Sequence, residues 1–302
     1  MPRALRYVVG WRSLEEFILA LEQRGELLRV SHPVDVELEA GCIADLLVKR
    51  NGPAVIFDQP RLGDGSISRY PLAMNLFGTR DRTNLALGVV EPKEIGEMMT
   101  GLMKPDIGGI LRRPWTGLGL LRQGISMAPR KVSRGNCQQV RMDNPDVTRL
   151  PIPTSWPQDG GPFMTLPLVV TSDPETGVHN LGMYRSQVFG PDEVGLHWQK
   201  HKHGADHAEA SEDRMPVAIC LGGPPQVIFS AISPLPDNLS EYEFAGLLSG
   251  RRLKITKCLT NDLWVPADCD FVIEGYTLPS ERRMEGPFGD HFGHYSLEDE
   301  YP

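Results

Sequence analysis

The pattern of apolar residues changes near Val140, and this change constrains the fold more than any other feature of the sequence. Beyond it, short apolar runs follow one another between turns rich in Gly, Pro, Asn and Asp, as in antiparallel sheets and barrels. The predicted strands span residues 166–171, 179–189, 216–220, 226–232, 253–259 and 271–276. The first two flank a turn at residues 173–177 and predict a β-hairpin. One helix interrupts the strands: Ser240 and Glu243 form a capping box, and Gly250 ends the helix.

The first third of the chain alternates helix and strand signals. Ser13 and Glu16 form a capping box that begins an amphipathic helix, and Gly25 ends it. Apolar runs at residues 27–30 and 54–57 predict strands on either side of a second helix. That helix spans residues 36–50, with a predicted apolar face of Leu38, Ile43, Leu46 and Leu47. Strands that alternate with helices favour a small α/β layer.

A segment of mixed signals separates these two parts. Residues 91–103 predict a helix rich in methionine, and the favoured interpretation of its apolar side is a core face. Residues 104–129 carry Gly, Pro and Arg at irregular spacing. We therefore expect an irregular connector there.

Charge and cysteine content exclude some classes of function. The chain has 302 residues and a formal net charge of -8, without a basic stripe that could neutralise phosphates, which argues against a nucleic-acid partner. The five cysteines show no CxxC spacing and fit a reducing compartment better than a disulfide framework. No apolar run has the length of a membrane span, and the N-terminus lacks the apolar stretch of a signal peptide. We expect a cytoplasmic protein.

Two carboxylates, Glu285 and Asp290, lie in the segment Glu-Gly-Pro-Phe-Gly-Asp at residues 285–290. Its proline restricts the backbone angles and its glycines permit unusual ones, so we expect backbone geometry to hold both acids. Two acids held close titrate apart, which lets one donate a proton while the other stays ionised. The alternative is an ordinary solvated acidic turn.

Asn180 and Arg185 belong to a second polar cluster. A regular strand would separate them by roughly 16 Å and point them to opposite faces. A bulge or kink at Gly182 would turn both side chains onto one surface. Glu241, in the first turn of the predicted helix, has an ordinary explanation as well, because a carboxylate there gains roughly 0.3–1 kcal/mol from the helix dipole without a metal.

Residues 197–207 are rich in histidine and lysine. His197 and His201 would share a helix face, as zinc ligands do, but neither His-Glu-x-x-His nor a cysteine pair accompanies them. A basic segment with many N–H donors suits a phosphate group. A solvated helix with incidental histidines is the alternative.

Four motifs, in order along the chain, resemble the UbiD family of decarboxylases. They are residues 180–185 (Asn-Leu-Gly-Met-Tyr-Arg), 197–202 (His-Trp-Gln-Lys-His-Lys), 240–242 (Ser-Glu-Tyr) and 285–290. Segments at residues 21–27, 33–35, 75–79 and 137–139 are similar to the branch that contains 3-polyprenyl-4-hydroxybenzoate decarboxylase. The resemblance extends over nearly the whole chain.

The resemblance implies a cofactor, prenylated FMN, held with a divalent metal, usually Mn2+, and a monovalent cation such as K+. The implied metal ligands are Asn180, His201 and Glu241. The implied flavin-lining residues are Met183, Tyr184, Arg185, His197, Trp198, Gln199, Lys202 and His203. Relatives carry Arg-Gly at the last two positions, and lysine lacks the bidentate fork with which arginine binds phosphate.

The resemblance also implies a reaction, the non-oxidative and reversible decarboxylation of an aromatic acid. Its implied catalytic residues are Arg185, Glu285 and Asp290. Direct loss of CO2 would leave a carbanion that cannot delocalise, so the flavin serves as electron sink. Arg185 would pair with Glu285 and orient the substrate carboxylate, and Asp290 would donate the proton. Some relatives have Glu at the position of Asp290.

The expected substrate is a hydroxybenzoate-type acid, 3-polyprenyl-4-hydroxybenzoate in ubiquinone biosynthesis. Alternatives are a dihydroxynaphthoate in menaquinone synthesis, a hydroxybenzoate in degradation, or a truncated and inactive protein that binds flavin or metal or assembles with a partner. The implied partners are the flavin prenyltransferase that supplies the cofactor, further copies of the full-length chain, and a membrane surface if the substrate carries a lipid tail.

The expected fold class is α+β. A small N-terminal α/β domain with its connector spans residues 1–120, and a prenylated-FMN-binding split β-barrel-like domain spans residues 121–302. Relatives continue into a C-terminal domain that closes over the site, and we expect this chain to lack it. An exposed apolar patch is then predicted where that domain would dock.

Overall fold

The structure is a computed structural model that describes residues 10–103, 114–198, 203–211, 213–236, 239–278, 281–290 and 292–302. Helices and strands mix along the chain, which confirms the expected α+β class. In these ranges no helix is both long enough and apolar enough to cross a membrane.

The first part of the chain forms a small sheet with helices around it. Its elements are α1 (Leu14–Gln23), β1 (Leu27–Val30), β2 (Val34–Asp35), α2 (Glu39–Lys49), β3 (Ala54–Phe57), β4 (Pro60–Arg61), β5 (Leu72–Met74), α3 (Arg80–Leu87) and α4 (Lys93–Met103). β1 and β3 pair in parallel across the α2 crossover, and β5 adds antiparallel to β3. The predicted strand–helix alternation is confirmed.

The first helix begins where the sequence predicts, but the predicted capping box is incomplete, because the Glu16 carboxylate accepts from Arg12 N rather than from Ser13 N. The Ser13 hydroxyl accepts a hydrogen bond from Glu16 N, and the Glu16 carboxylate accepts one from Arg12 N. Phe17 and Leu21 are fully buried against the small sheet. These contacts give α1 both its start and its core face.

The predicted apolar face of α2 is partly wrong. The helix begins at Glu39 rather than at residue 36, because Leu38 has a positive φ of 65°. Two predicted face residues, Leu38 and Leu46, are exposed, whereas the small residues Ala40, Gly41 and Ala44 are buried. A Cβ on Gly41 would lie 2.9 Å from Ser155 O, so close backbone contact selects small residues on this face.

The irregular connector predicted for residues 104–129 is also partly wrong. Residues 104–113 lie outside the described ranges, but the rest forms helix α5 (Pro114–Met127). Pro114 at the helix start has the φ angle that a first turn requires. A Cβ on Gly246 would lie 2.2 Å from Ser126 O, so α5 lies directly against a later helix. This packing outweighs the low helix propensity of its glycines.

The remaining elements follow in order. They are β6 (Arg130–Val132), β7 (Phe163–Met164), β8 (Leu168–Ser172), β9 (His179–Met183), β10 (Ser186–Gln187), α6 (His203–Ala210), β11 (Met215–Leu221), α7 (Pro225–Ser230), α8 (Glu241–Ser249), β12 (Lys254–Lys257), β13 (Trp264–Pro266), β14 (Phe271–Thr277), β15 (Arg283–Glu285) and β16 (Asp299–Tyr301). The main sheet has the order β14-β11-β8-β9 and is antiparallel throughout. The predicted hairpin is its β8–β9 pair.

The sheets surround the core without closing into one continuous barrel over the described strands. One face of the main sheet packs against α7 and α8, through residues such as Leu168, Leu181 and Val227. α8 has the predicted reciprocal capping box and ends at Gly250 in the left-handed conformation. These two helices place their termini beside β9.

The strand predicted at residues 226–232 is wrong, because that segment is helix α7. Pro225 occupies its first turn, where proline is favoured. Gln226, Val227, Ile228 and Ser230 are all buried. Because its polar residues Gln226 and Ser230 are buried together with the apolar ones, this helix has no exposed polar face, and its six residues are too few to separate a helix from a buried strand by periodicity.

Candidate active site

Arg185 lies at a break between two strands. β9 ends at Met183 and β10 begins at Ser186, so the single strand predicted for residues 179–189 is interrupted. The bulge predicted at Gly182 is wrong, because Gly182 pairs with Val169 in regular antiparallel register. Glycine is required there for space, since a Cβ would lie 2.3 Å from the Tyr184 ring.

Arg185 and Glu285 are in direct contact. The guanidinium donates to Glu285 Oε1 from Nε at 3.0 Å and from Nη2 at 2.6 Å. His197 Nδ1 lies 2.9 Å from the same oxygen. The Glu285 side chain is only 2 % exposed, so two neighbouring groups stabilise a carboxylate that water cannot solvate.

The second oxygen of Glu285 differs from the first. Oε2 is buried and has no hydrogen-bond partner among the described residues. A buried carboxylate oxygen without a donor is costly, typically by about 1–3 kcal/mol or more for a charged group. The arrangement can therefore accept a hydrogen bond from a bound molecule.

Aromatic rings surround this charged group. Phe288 lies under the Arg185 guanidinium at 4.7 Å and meets Phe163 edge to face at 4.9 Å. The His197 ring lies 4.1 Å from the Tyr301 ring. Apolar walls strengthen the Arg185–Glu285 attraction by excluding water.

The backbone near Glu285 is held by close contacts with residues around position 160. A Cβ on Gly286 would lie 2.5 Å from the Gly160 Cα, and Gly160 N donates to Pro287 O at 2.8 Å. Gly289 is similarly crowded by Trp156. Neither Gly286 nor Gly289 has a positive φ. The expectation that these glycines provide unusual backbone angles is wrong; they allow close approach.

Asp290 belongs to a different local structure. Its Oδ1 accepts hydrogen bonds from Phe292 N at 2.8 Å and His294 N at 3.0 Å, and its own N donates to His294 O. This loop turns through Gly293, which has a φ of 86°. The structure thus brings Arg185 to Glu285 and ties Asp290 to the loop that follows them.

Asn180, Tyr184 and Glu241 meet at the other end of the site. Glu241 Oε2 accepts a hydrogen bond from Leu181 N at 3.3 Å, which places the helix α8 carboxylate beside β9. Burial raises the pKa of the Tyr184 hydroxyl, and hydrogen bonds with Asn180 and Gly204 partly oppose this rise. Two of the three predicted metal ligands are therefore neighbours, while His201 lies outside the described residues.

The predicted flavin-lining residues are only partly described. Tyr184 and Trp198 are buried, and Met183 packs against the main core. The indole Nε1 of Trp198 is buried without a hydrogen-bond partner in the described ranges. Gln199 and Lys202 lie outside these ranges, as does the side chain of His203. His197 precedes α6 in non-helical backbone, so the shared helix face predicted for His197 and His201 does not form at His197.

Sequence reasoning missed three positioning groups. Gln187 bridges the two facing loops, since its Nε2 donates to Gly160 O at 2.7 Å and its Oε1 accepts from Gly286 N at 2.8 Å. Ser296 Oγ accepts hydrogen bonds from Arg185 Nη2 and Phe288 N. Ala231 O accepts from Met183 N at 3.2 Å, which places the loop after α7 beside β9. No local motif marks these residues, because their partners are distant in sequence.

Two further predictions concern the metal site and an exposed apolar patch. In the described part of the chain, no group of three or more His, Cys, Asp or Glu side chains could hold a metal. The predicted ligand set differs from such a group, because it contains an asparagine and His201, which lies outside the described residues. Met284, Phe292 and Leu297 near the site are exposed. The docking patch for a further domain stays a prediction.

Two family profiles match the sequence. The 3-octaprenyl-4-hydroxybenzoate carboxy-lyase Rift-related domain matches residues 130–302, and the N-terminal domain of the same carboxy-lyase matches residues 18–100. An uncharacterized protein of Archaeoglobus fulgidus is 42% identical over 298 residues, which cover 97% of this chain and 60% of that protein. The chain therefore spans about 60% of the length of this relative.

Two solved structures are similar in fold. Vanillic acid decarboxylase of Sedimentibacter hydroxybenzoicus, in its closed form, has a TM-score of 0.82 and 30% identity, covering 96% of this chain and 60% of that one. An evolved dimeric form of HmfF from Pelotomaculum thermopropionicum, in complex with prFMN, has a TM-score of 0.80 and 26% identity, covering 97% and 63%.

Proposed function

The chain belongs to the UbiD family, and from this premise we propose that it forms the cofactor- and substrate-binding part of an aromatic acid decarboxylase that uses prenylated FMN. The observation that carries the proposal is the buried Arg185–Glu285 pair. We also propose that residues 1–120 and 121–302 are separate domains, and that the second domain holds the flavin.

The residues present fit such a cofactor. Trp198 Nε1 and Glu285 Oε2 are buried polar atoms without described partners, and a polar ligand that contacts either of them would offset that cost. Asn180 and Glu241 provide amide and carboxylate oxygens at neighbouring positions, a donor set that suits Mn2+ or Mg2+. We propose these two, with His201, as the metal ligands, and a monovalent cation such as K+ beside them. Met183, Tyr184, His197, Gln199, Lys202 and His203 are proposed to complete the flavin site.

When bound, the modified flavin supplies an electron sink for the carbanion that decarboxylation creates. Arg185 has a charged guanidinium that can orient a substrate carboxylate, while its pairing with Glu285 fixes its position. Arg185 and His197 both contact Oε1 of Glu285, so two side chains hold this buried carboxyl group in place. The aromatic rings around this pair exclude water from the reacting carbon.

Asp290 is the proposed proton donor to that carbon. In the structure its Oδ1 already accepts two backbone hydrogen bonds. Such bonds favour the ionised form, so we propose that a bound substrate replaces one of them before Asp290 donates its proton.

We propose a hydroxybenzoate-type acid as substrate. The family description names a polyprenylated 4-hydroxybenzoate, which supports 3-polyprenyl-4-hydroxybenzoate in ubiquinone biosynthesis. The similarity to a vanillic acid decarboxylase supports a second candidate, a hydroxybenzoate without a lipid tail. Turnover of a short-chain prenylated 4-hydroxybenzoate measured beside vanillate separates these candidates.

The proposal is tested by co-expressing the chain with a flavin prenyltransferase and recording the absorption spectrum of the purified protein. We expect bound flavin together with about one equivalent of divalent metal by elemental analysis. Glu241→Gln is expected to lose the metal, whereas Glu243→Gln, two residues later on the same helix, is expected to retain it. Protein with neither flavin nor metal would contradict the proposal.

A further inference from the structure

A cavity of about 210 Å³ lies away from the candidate active site, where the first part of the chain meets the main core. Its walls come from the segment before α1, the start of α7, the end of α8 and the start of β12. The charged residues that line it are Arg12, Arg251, Arg252, Lys254 and Asp268. Glu241, by contrast, begins α8 at the end opposite to the cavity. The two sites therefore lie at different ends of this helix.

Positive charge dominates the walls of this cavity. Its single lining carboxylate, Asp268, is already engaged by Lys254 Nζ at 3.4 Å and by Asn136 Nδ2 at 2.7 Å. Arg252 donates to the carbonyl oxygens of Ala128 and Pro129. Lys254 and Arg252 thus have fixed partners.

Arg12 and Arg251 are the unsatisfied cations. Neither guanidinium has a hydrogen bond or ion pair within the described ranges, and Arg251 is only partly exposed. Burial lowers the pKa of Arg251, the nearby Glu16 opposes this effect, and the charge of Arg12 adds to it. Glu16 offsets the repulsion between the two arginines without forming a hydrogen bond to either guanidinium, so a bound anion would stabilise both groups further.

The size and chemistry of the cavity define the anion. A volume of about 210 Å³ is below the roughly 300 Å³ at which sites for drug-sized ligands begin, so a small compound fits and a folded partner does not. Two guanidinium groups beside a lysine match the oxygens of a phosphate, which arginine binds in bidentate fashion. Trp11 provides an apolar wall next to them. We propose that this cavity is a binding site for pyrophosphate or a small diphosphate compound, bridging the first part of the chain to α8 and β12.

Isothermal titration of the 302-residue chain with sodium pyrophosphate, in EDTA so that no metal mediates binding, tests this site. We expect saturable binding by the wild type with one site per chain. Arg251→Gln is expected to weaken it about tenfold, equivalent to about 1.4 kcal/mol. Arg12→Gln is also expected to weaken pyrophosphate binding. Because Arg12 is exposed, this variant still tests the site if Arg251→Gln folds poorly.

Two control variants make the result specific. Arg50→Gln removes the same charge from an exposed arginine that does not line the cavity, and it is expected to bind as the wild type does. Glu241→Gln alters the proposed metal region and is likewise expected to leave pyrophosphate binding unchanged. Absence of saturable binding at millimolar pyrophosphate would overturn the proposal. Equal affinity in Arg251→Gln, Arg12→Gln and wild type would do so too.

Discussion

Arg185 donates two hydrogen bonds to a single oxygen of Glu285, although the two residues are one hundred positions apart in the chain. His197 approaches the same oxygen, so Oε1 carries all the described contacts of this carboxylate and Oε2 carries none. Arg185 and His197 thus contact the buried carboxylate of Glu285 through only one of its two oxygens. The remaining oxygen is buried and keeps an unused acceptor position.

Removal of Arg185 is expected to destabilise the fold through Glu285. Arg185→Ala leaves a buried carboxylate with His197 as its main partner and is predicted to lower the free energy of unfolding by about 3 kcal/mol. In a Glu285→Gln background the same substitution is predicted to cost much less, because no buried charge is left behind. Urea unfolding of the four proteins measures this coupling. Strictly additive effects would show that the two residues do not interact in solution.

His197 is expected to act as a positioning residue for Glu285. His197→Phe keeps a ring against Tyr301 but removes the Nδ1 contact, and it is predicted to lower kcat several-fold with little change in KM. His197→Gln retains an N–H donor and is predicted to recover part of kcat. Steady-state kinetics of the cofactor-loaded variants provide the comparison. Equal kcat in His197→Phe and wild type would remove His197 from this role.

Gly286 is expected to tolerate no side chain. Gly286→Ala places a Cβ 2.5 Å from the Gly160 Cα, and we predict a loss of about 1–3 kcal/mol in the free energy of unfolding. Gly63→Ala is the matched control, since a Cβ there meets no heavy atom within 4 Å. Thermal and urea denaturation report both effects. A Gly286→Ala protein as stable as the control would mean that the two loops are not in contact.

Local signals in the sequence predicted the elements that local interactions determine. The Ser13 and Ser240 caps, the β8–β9 hairpin and the β1–β3 strands are examples, because caps, turns and apolar periodicity all act over a few residues. Helix α5 was missed, since its stability comes from packing on α8 rather than from its own glycine-rich sequence. Helix α7 was mistaken for a strand because it is buried on all sides.

The candidate site was predictable only through resemblance to a family. No spacing rule connects Arg185 to Glu285, and spacing alone left residues 285–290 open to interpretation as a solvated turn. Gln187 and Ser296 were missed because each acts through contacts that only the folded chain creates. The sequence predicted that the glycines near Glu285 provide unusual backbone angles. They are needed instead because neighbouring residues lie too close to leave room for a side chain.

Tyr184 is expected to contribute to stability in a pH-dependent way. Burial raises the pKa of its hydroxyl in the folded chain above the unfolded value near 10. The protonated Tyr184 hydroxyl therefore contributes fully to the free energy of unfolding below about pH 10, and this contribution is lost as the pH rises through the pKa of the folded state. Tyr184→Phe is predicted to be less stable than wild type at pH 7, by about 1 kcal/mol for the lost hydrogen bonds, and to show a smaller decline above pH 10.

Urea unfolding at pH 7 and above pH 10 measures this difference. Tyr276→Phe, at a half-exposed tyrosine on β14, is the control and is predicted to decline with pH as the wild type does. Parallel pH profiles for Tyr184→Phe and wild type would contradict the burial argument.

The most direct test of the central claim is CO2 release by the cofactor-loaded Arg185→Ala protein, measured on hydroxybenzoate-type acids beside the wild type. Arg214→Ala serves as control, because Arg214 lies over the Tyr276 ring and makes no described contact with Glu285. We predict CO2 release by wild type and Arg214→Ala, and none by Arg185→Ala protein that is folded by circular dichroism and retains flavin and metal. Wild-type release by Arg185→Ala would contradict the role assigned to the Arg185–Glu285 pair.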